Sequence, residues 1–448
     1  MEATSTTTTD IGAVIDARAV TVVFQPVVDL RTMQVAGLEA FVRGPEGTEI
    51  ERPRELFAAA AAAGRVAELD WVARAAAFRA VLDANLPPSL SVFVNTEPGS
   101  LSTECPADLH AEVARAEAQL RVFVEVNDRA LVADPAGLVA AVDRARAMGW
   151  GVAVDDVGSS RAPIVVLPVV HADVVKVDLG LLREAPQTDA SAVLAATLRH
   201  VERTGAALCV ERIETDADLR WARAMGAAFG QGRHLAPPGP LPEAVTAPWS
   251  PIPLVAPSAE DAPVRSPFDL VCDGQPRRVE RRHFLELARM LAFGSIAPGA
   301  APVVLVGVGR SGFDPAVAAS FPDGAMPVLY VMFGTDLPAE PLPGLRAVCL
   351  DHDDPLAETE FLVQINEKGA SALLARSLPD GELEVVLTQD REVAHGIARH
   401  LARRIPPLGG DGRALPLPEV WEVAEPEPDL PEAPTPEPRR RGVFGRRR

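Results

Sequence analysis

The chain has 448 residues, 48% of them hydrophobic, and a formal net charge of −19. That length exceeds one ordinary core and predicts two domains with connectors. The acidic balance excludes broad binding to polyanions, so a phosphate-bearing partner needs a metal ion or local arginines to offset the field. Cysteines at 105, 209, 272 and 349 form no CxxC pair and fit structural thiols of a reducing compartment. The start, MEATSTTTTD, lacks the basic and apolar regions of a signal peptide. The run at 162–175 is interrupted by Pro168, His171 and Asp173 and falls short of a membrane helix. A cytoplasmic chain with no transmembrane segment is the expectation.

Residues 1–18 are expected to be disordered or weakly helical. From 19 to 240, apolar runs alternate with alanine-rich helical patterns. The predicted strands are TVVFQPVV (21–28), VAGLEAFV (35–42), LSVFVN (90–95), VFVEV (122–126), GVAVDD (151–156), ADVVKVD (172–178), ALCVE (207–211) and AFGQG (228–232). Helical patterns occupy 65–84, 134–148, 189–204 and 215–225. Buried strands alternating with helices predict a parallel sheet, and eight of them suit a closed TIM-like (β/α)8 barrel. An open doubly wound sheet is the alternative, but no glycine-rich phosphate loop follows the first strand. Proline-rich 241–267 reads as a linker. A second, smaller α/β domain is expected over 268–405, with helices at 281–292 and 390–404 and strands near 302–308, 327–333, 346–350, 360–365 and 383–388. Residues 406–448, rich in Pro and Glu and ending RRRGVFGRRR, read as a disordered tail.

Polar residues gather at the ends of the first domain's strands: Glu39, Asn95, Glu125, Asp155, Asp156, Lys176, Asp178 and Glu211. In a parallel barrel those ends surround one mouth, where barrel enzymes place their sites. Taken singly, each has a plainer reading: a strand-end acid as a helix cap, Asn95 as a turn residue, Lys176 as the partner of Asp178. Taken together they recur at successive strand ends, and they include Lys176, one of only two lysines in the chain, and Asn95, one of four asparagines. Buried acids repel without cations among them, and oxygen donors without clustered His or Cys select Mg²⁺ or Mn²⁺. A pair of such ions about 4 Å apart grips a phosphodiester.

FQPVVDL (24–30) and GLEAFVRG (37–44) resemble the opening of EAL-family cyclic di-GMP phosphodiesterases, with EAF in place of the naming tripeptide. The resemblance continues in order through ELDWVARAA (68–76), FVNT (93–96), VEVND (124–128), VDDVGSS (154–160), VVKVD (174–178), VERIET (210–215) and GAAFGQGRHLAPPGP (226–240). It implies a barrel with an antiparallel first strand that hydrolyses cyclic di-GMP to linear pGpG with Mg²⁺ or Mn²⁺. It places Glu39, Asn95, Glu125, Asp155 and Asp156 at metal positions and Lys176 as the residue orienting the nucleophilic water. Glu211 falls at the general base, Gln25, Arg43 and Gln231 at substrate contacts, and Asp178 and Glu214 in supporting positions. Four departures stand out. DDVGSS lacks the aromatic and second glycine of a loop that links dimerisation to metal binding, which implies reduced turnover and makes a homodimer an implied partner. Arg212 replaces a glycine beside the base. Asp128 and Gly44 also depart from the family's residues.

RRHFLELARMLA (281–292), LDHDDPLAETEFLVQINEKGASALLAR (350–376) and LTQDREVAHGIARHLARR (387–404) resemble a DICT sensory domain, which implies an unknown signalling partner or ligand there. His283, His352 and His395 are read as packing or surface residues rather than metal ligands, and Lys368 as a solvated helix start. The terminal arginines are read as solvated rather than bound to lipid or nucleic acid. Besides hydrolysis, three readings stay open: a catalytically weak or inactive cyclic di-GMP receptor acting through protein partners, a Lys176 Schiff-base enzyme, and a scaffold for protein contacts. Surrounding acids hold an amine protonated, which disfavours the Schiff base.

Overall fold

In a computed structural model the described residues are 9–415, apart from 98–99, 101–102, 128–129, 159, 256–263, 265, 272–275, 296–302, 312–327, 339–340, 342–343, 367–368 and 410–411. Asp128, Ser159, Cys272, Lys368 and the tail from 416 therefore lie outside the described residues. Eight strands close the barrel: β1 Thr21–Asp29, β2 Val35–Arg43, β3 Ser91–Asn95, β4 Arg121–Asn127, β5 Gly151–Val157, β6 Val174–Asp178, β7 Ala207–Glu211 and β8 Phe229–Gly230. β1 runs antiparallel to both β2 and β8, and β2 through β8 are parallel. The hairpin forms because only five residues separate Asp29 from Val35, too few for a crossover.

Strand alternation builds the interior in layers. Successive side chains of a strand point to opposite faces, so residues two apart share a face. Val27, Phe93, Phe123, Ala153, Val174, Cys209 and Phe229 form an apolar interior layer, with Phe93 and Phe123 stacked 4.9 Å apart. Gly37 completes it; a Cβ there would meet the Phe93 ring at 2.9 Å. Two residues further toward the mouth stand Gln25, Asn95, Glu125, Asp155, Lys176, Glu211, Gln231 and Glu39. One period of strand thus separates the floor of the barrel from its chemistry.

Helices pack outside: α1 Ile11–Asp16, α2 Val66–Asp83, α3 Pro135–Ala147, α4 Pro163–Val170, α5 Leu179–Glu184, α6 Gln187–Thr204 and α7 Asp216–Ala224. The ELDWVARAA segment is structural. Asp70 and Arg74 form a fully buried ion pair at 2.9 Å, Ser100 donates to Asp70, and the Arg74 guanidinium stacks 3.8 Å over Trp71.

Three expectations about connectors need correction. Residues 9–18 are ordered: Asp10 caps α1, whose Val14 and Ile15 are buried. The proline-rich stretch is not free chain over 252–255. Ile252 is fully buried in the interior layer, its carbonyl accepts from Arg121, and the Val255 N–H donates to Asp173. An isoleucine closing the barrel floor buries apolar surface that a solvated linker would leave exposed. Residues 412–415 are also held, Cys349 donating to the Gly412 carbonyl and Ala414 to the Cys349 carbonyl.

The second sheet has the order β12-β11-β10-β13-β14-β15-β9. Its strands are β9 Arg277–Val279, β10 Val303–Val308, β11 Leu329–Gly334, β12 Arg346–Cys349, β13 Thr359–Asn366, β14 Gly369–Ser377 and β15 Leu383–Thr388, with helices α8 Arg281–Ser295 and α9 Arg391–Ala402. β13 and β14 pair as an antiparallel hairpin with Asn366 opposite Gly369, and Lys368 between them lies outside the described residues. Asn366 accepts from the Gly369 N–H, a side-chain turn that competes with helix. α9 is buried from Ala394 to Ala402. It contacts β13 and β14 as well as the barrel's α3 and α4. Arg399 donates to Asp143 of α3 at 2.5 Å and to the Val169 carbonyl, and Arg403 donates to Asp143 at 3.0 Å. Asp143→Ala leaves two buried guanidiniums short of a partner. It is expected to cost about 2 kcal/mol in a urea melt, below the fully buried-pair range because Asp143 keeps some solvent. An unchanged midpoint would mean the clamp carries no stability.

Candidate metal centre at the barrel mouth

Lys176 is completely buried, and its ammonium is surrounded by carboxylates. Nζ lies 2.8 Å from Glu39 Oε2, 2.6 Å from Glu125 Oε1, 3.2 Å from Asp155 Oδ1 and 2.8 Å from Glu211 Oε1. Burial alone would lower its pKa, but Asp155, Glu125, Glu211 and Glu39 hold it well above the usual lysine value. Burial, followed by Glu39, pushes Glu125 well up; burial, followed by Asp155, does the same to Glu211. One ammonium cannot neutralise this set. Glu125 Oε2 is buried without a hydrogen-bond partner, an arrangement that costs free energy until a proton or cation arrives.

Glu39, Glu125 and Asp155 can each bring one oxygen to within 4.8 Å of the others, as can Asp155, Asp156 and Glu211. Asp155 belongs to both groups. A regular strand would send Asp155 and Asp156 to opposite faces, but β5 is irregular at this point. Val154 pairs with Val175 and Val157 with Val177, so β5 carries one extra residue. Asp156 takes the left-handed conformation, φ 55°. The bulge turns both carboxylates toward the mouth, a use of extra residues common beside functional sites. Asn95 is the register partner of Glu125 across β3 and β4. Its amide oxygen is of the same hard donor type as the acids. The donor set therefore fits divalent Mg²⁺ or Mn²⁺ better than zinc. His395 is buried, whereas His283 and His352 are exposed.

The remaining site residues are placed as follows. Gln231 donates to Glu39 Oε2 at 2.7 Å and to Gln25 Oε1 at 3.1 Å, while Gln25 donates to the Ala236 carbonyl. Both amides are buried; Gln231 holds Glu39 and Gln25 braces Gln231. Arg43 lies four residues beyond Glu39 on the same face of β2, about 13 Å along the strand, half-buried at the rim. Asp178 does not pair with Lys176. It caps α5 by accepting from the Leu181 N–H, and its other oxygen is 2.7 Å from Arg212 Nε. Glu214 is exposed, and its backbone N–H donates to Asp218.

Arg212 occupies a left-handed conformation, φ 52°, which explains why a glycine is at ease there. Its side chain turns to Asp178 and over α5, where Gly180 leaves room: a Cβ on Gly180 would lie 2.8 Å from Arg212 Nη1. The expected bulk beside Glu211 is thereby drawn toward β6. Cys209, one period below Glu211, is a free buried thiol, as are Cys105 and the partly buried Cys349. None of the helices among the described residues is long and apolar enough to cross a membrane.

The EAL domain family model matches residues 10–238. A probable cyclic di-GMP phosphodiesterase of Escherichia coli is 27% identical over 235 residues, covering 50% of this chain and 44% of that protein. A cyclic di-GMP phosphodiesterase of Pseudomonas aeruginosa is 29% identical over 231 residues, 49% of this chain and 38% of that protein. This chain thus spans less than half the length of either. Among solved structures, BlrP1 of Klebsiella pneumoniae in a manganese and cyclic di-GMP complex is 26% identical, with 51% of this chain and 57% of that one covered and a TM-score of 0.42. With residues 10–238 matched, more than half of its length, the chain belongs to the EAL domain family.

Proposed function

We propose that the barrel is a phosphodiesterase that hydrolyses cyclic di-GMP to linear pGpG with Mg²⁺ or Mn²⁺ at its mouth, under the influence of the C-terminal sheet. The observation that carries this reading is the pair of carboxylate groups sharing Asp155, with a buried Glu125 oxygen lacking a hydrogen bond. Glu39, Asn95, Glu125, Asp155 and Asp156 would hold the ions. When bound, divalent ions supply Lewis-acid polarisation of the phosphate and acidify a water molecule.

The chain's own residues then divide the remaining work. Gln231, braced by Gln25, orients Glu39. Lys176 donates hydrogen bonds at the centre of the cage and fixes the carboxylates, positioned also to orient the attacking water. Glu211, ending β7 with partial solvent access, accepts that water's proton. Arg43 at the rim offers a guanidinium to a phosphate oxygen. One water is added across one P–O bond, opening the ring without any redox change. The DICT-like assignment of 268–405, a partner or ligand there, and homodimer formation belong to the same reading, with the α9 clamp as the physical link between sheet and barrel.

The DDVGSS loop favours a second reading, in which the barrel binds cyclic di-GMP but turns it over weakly or not at all and acts through protein partners. Nucleotide chromatography of cyclic di-GMP incubated with the full chain separates the two. Hydrolysis gives pGpG with Mn²⁺ and none with excess chelator. Tight binding without product after long incubation supports the receptor, and product formation in chelator contradicts the metal-dependent mechanism.

A further inference from the structure

Between the barrel's α4 and α6 and, in the second sheet, α9 with the facing ends of β13 and β14 at Asn366 and Gly369 lies a cleft of about 360 Å³. That volume suits a small ligand. Arg199, Arg203 and Arg391 all line it, and among the described residues Glu202 is the carboxylate that lines it with them. Arg203 makes a loose ion pair with Glu392 at 3.6 Å. A concentration of guanidiniums is unexpected in a chain carrying −19 overall, and two of the three come from one helix face, four residues apart on α6. His200 also lines the cleft and is 5% exposed. Neither of its ring nitrogens makes a hydrogen bond of normal geometry, although the Ala172 backbone lies near. His395, on the opposite wall, is buried as well. Burial and then Arg203 hold His200 down to about 4 and His395 down to about 3, so both are neutral near pH 7 and the local field is positive.

We propose that this cleft binds a compact polyanion, a small phosphate- or carboxylate-bearing molecule, held by Arg199, Arg203 and Arg391 and met by His200. Such a ligand bridges barrel and sheet. α4 begins just after the Asp155–Asp156 bulge, and α6 runs into the strand that ends in Glu211, so both barrel walls are continuous with elements of the acidic mouth. Guanidinium forks match both anion types, and a buried imidazole without a bonded partner gains one from either.

Calorimetric titration of the full chain with inorganic pyrophosphate, and separately with citrate, tests the site. The solution contains chelator and no divalent cation, so the acidic mouth repels anions instead of recruiting them through metal. One saturable isotherm is expected, weakened roughly tenfold or more by R199E and by R391Q, the loss of a charge-assisted contact. The tighter of the two probes identifies the anion class. R391Q keeps the test decisive if R199E fails to fold, as checked by thermal melting without ligand. No saturation with either probe, or affinities unchanged in folded variants, overturns the proposal.

Discussion

Glu211→Gln is expected to slow hydrolysis of cyclic di-GMP by about 10²- to 10⁴-fold, the range for losing a general base, while nucleotide binding stays within about tenfold of the native protein. Glu211 sits at the end of β7, 2.8 Å from the Lys176 ammonium and within reach of Asp155 and Asp156. Without a bound cation, burial and Asp155 keep its carboxyl protonated well above the usual range. It accepts a proton only when positive charge at the neighbouring acids offsets that repulsion. The amide retains the size and one oxygen of the carboxyl but cannot take up a proton. Single-turnover rates beside calorimetric nucleotide affinities separate the effects. A variant that retains the native rate excludes Glu211 as base, and one that loses binding and rate together makes it a structural ligand instead.

Lys176→Met is expected to destabilise the metal-free protein by about 3–5 kcal/mol, the cost of breaking a buried charge network by removing one sign. Glu39, Glu125, Asp155 and Glu211 all lie within ion-pair distance of its ammonium, and methionine of similar length leaves them with no cation. Mn²⁺ is expected to raise the variant's melting temperature more than the native protein's. The pH dependence has a definite sign. Glu125 and Glu211 have raised pKa values in the folded state, from an ordinary value of 4.5. The unfolded chain gives up those protons first, so metal-free stability falls as pH rises above about 4.5 toward neutral. The raised Lys176 pKa has the same sign, but its contribution is complete below 10.5 and does not vary in this window. Thermal melts in chelator from pH 4.5 to 7.5 check the trend. A melting temperature that rises across that interval in the native protein, with no added loss in the variant, removes the cage from the stability of the fold.

Much of the barrel is legible in the sequence, because its strands are buried on both faces and appear as short continuous apolar runs. The polar residue closing each run was legible for the same reason: in VFVEV or VVKVD a charge among valines has no simple role in packing. Residues whose roles depend on distant chain were not legible. Gln231 donates to Glu39 and to Gln25, 206 positions away, and no local pattern discloses that. The bulge that turns Asp156 beside Asp155 depends on the register of β5 against β6, which sequence alternation alone misstates. Asp178 is held by Arg212, just past the end of β7, a partner that no local pattern around Asp178 discloses. Ile252 sits in a proline-rich stretch whose composition says linker, yet a single apolar residue suffices to seal the barrel floor. The β13–β14 hairpin was missed because GASALLAR, rich in Ala and Leu, has helical composition, whereas pairing with β13 and β15 on either side makes it a strand.

Manganese titration by calorimetry, native protein against Asp155→Asn, tests the carboxylate cage most directly. Asp155 is the acid common to both oxygen groups. Two ions per native chain are expected, released by chelator, with the variant's affinity reduced roughly tenfold or more at both positions. Native stoichiometry and affinity in a folded Asp155→Asn protein would show that these acids do not share a cation.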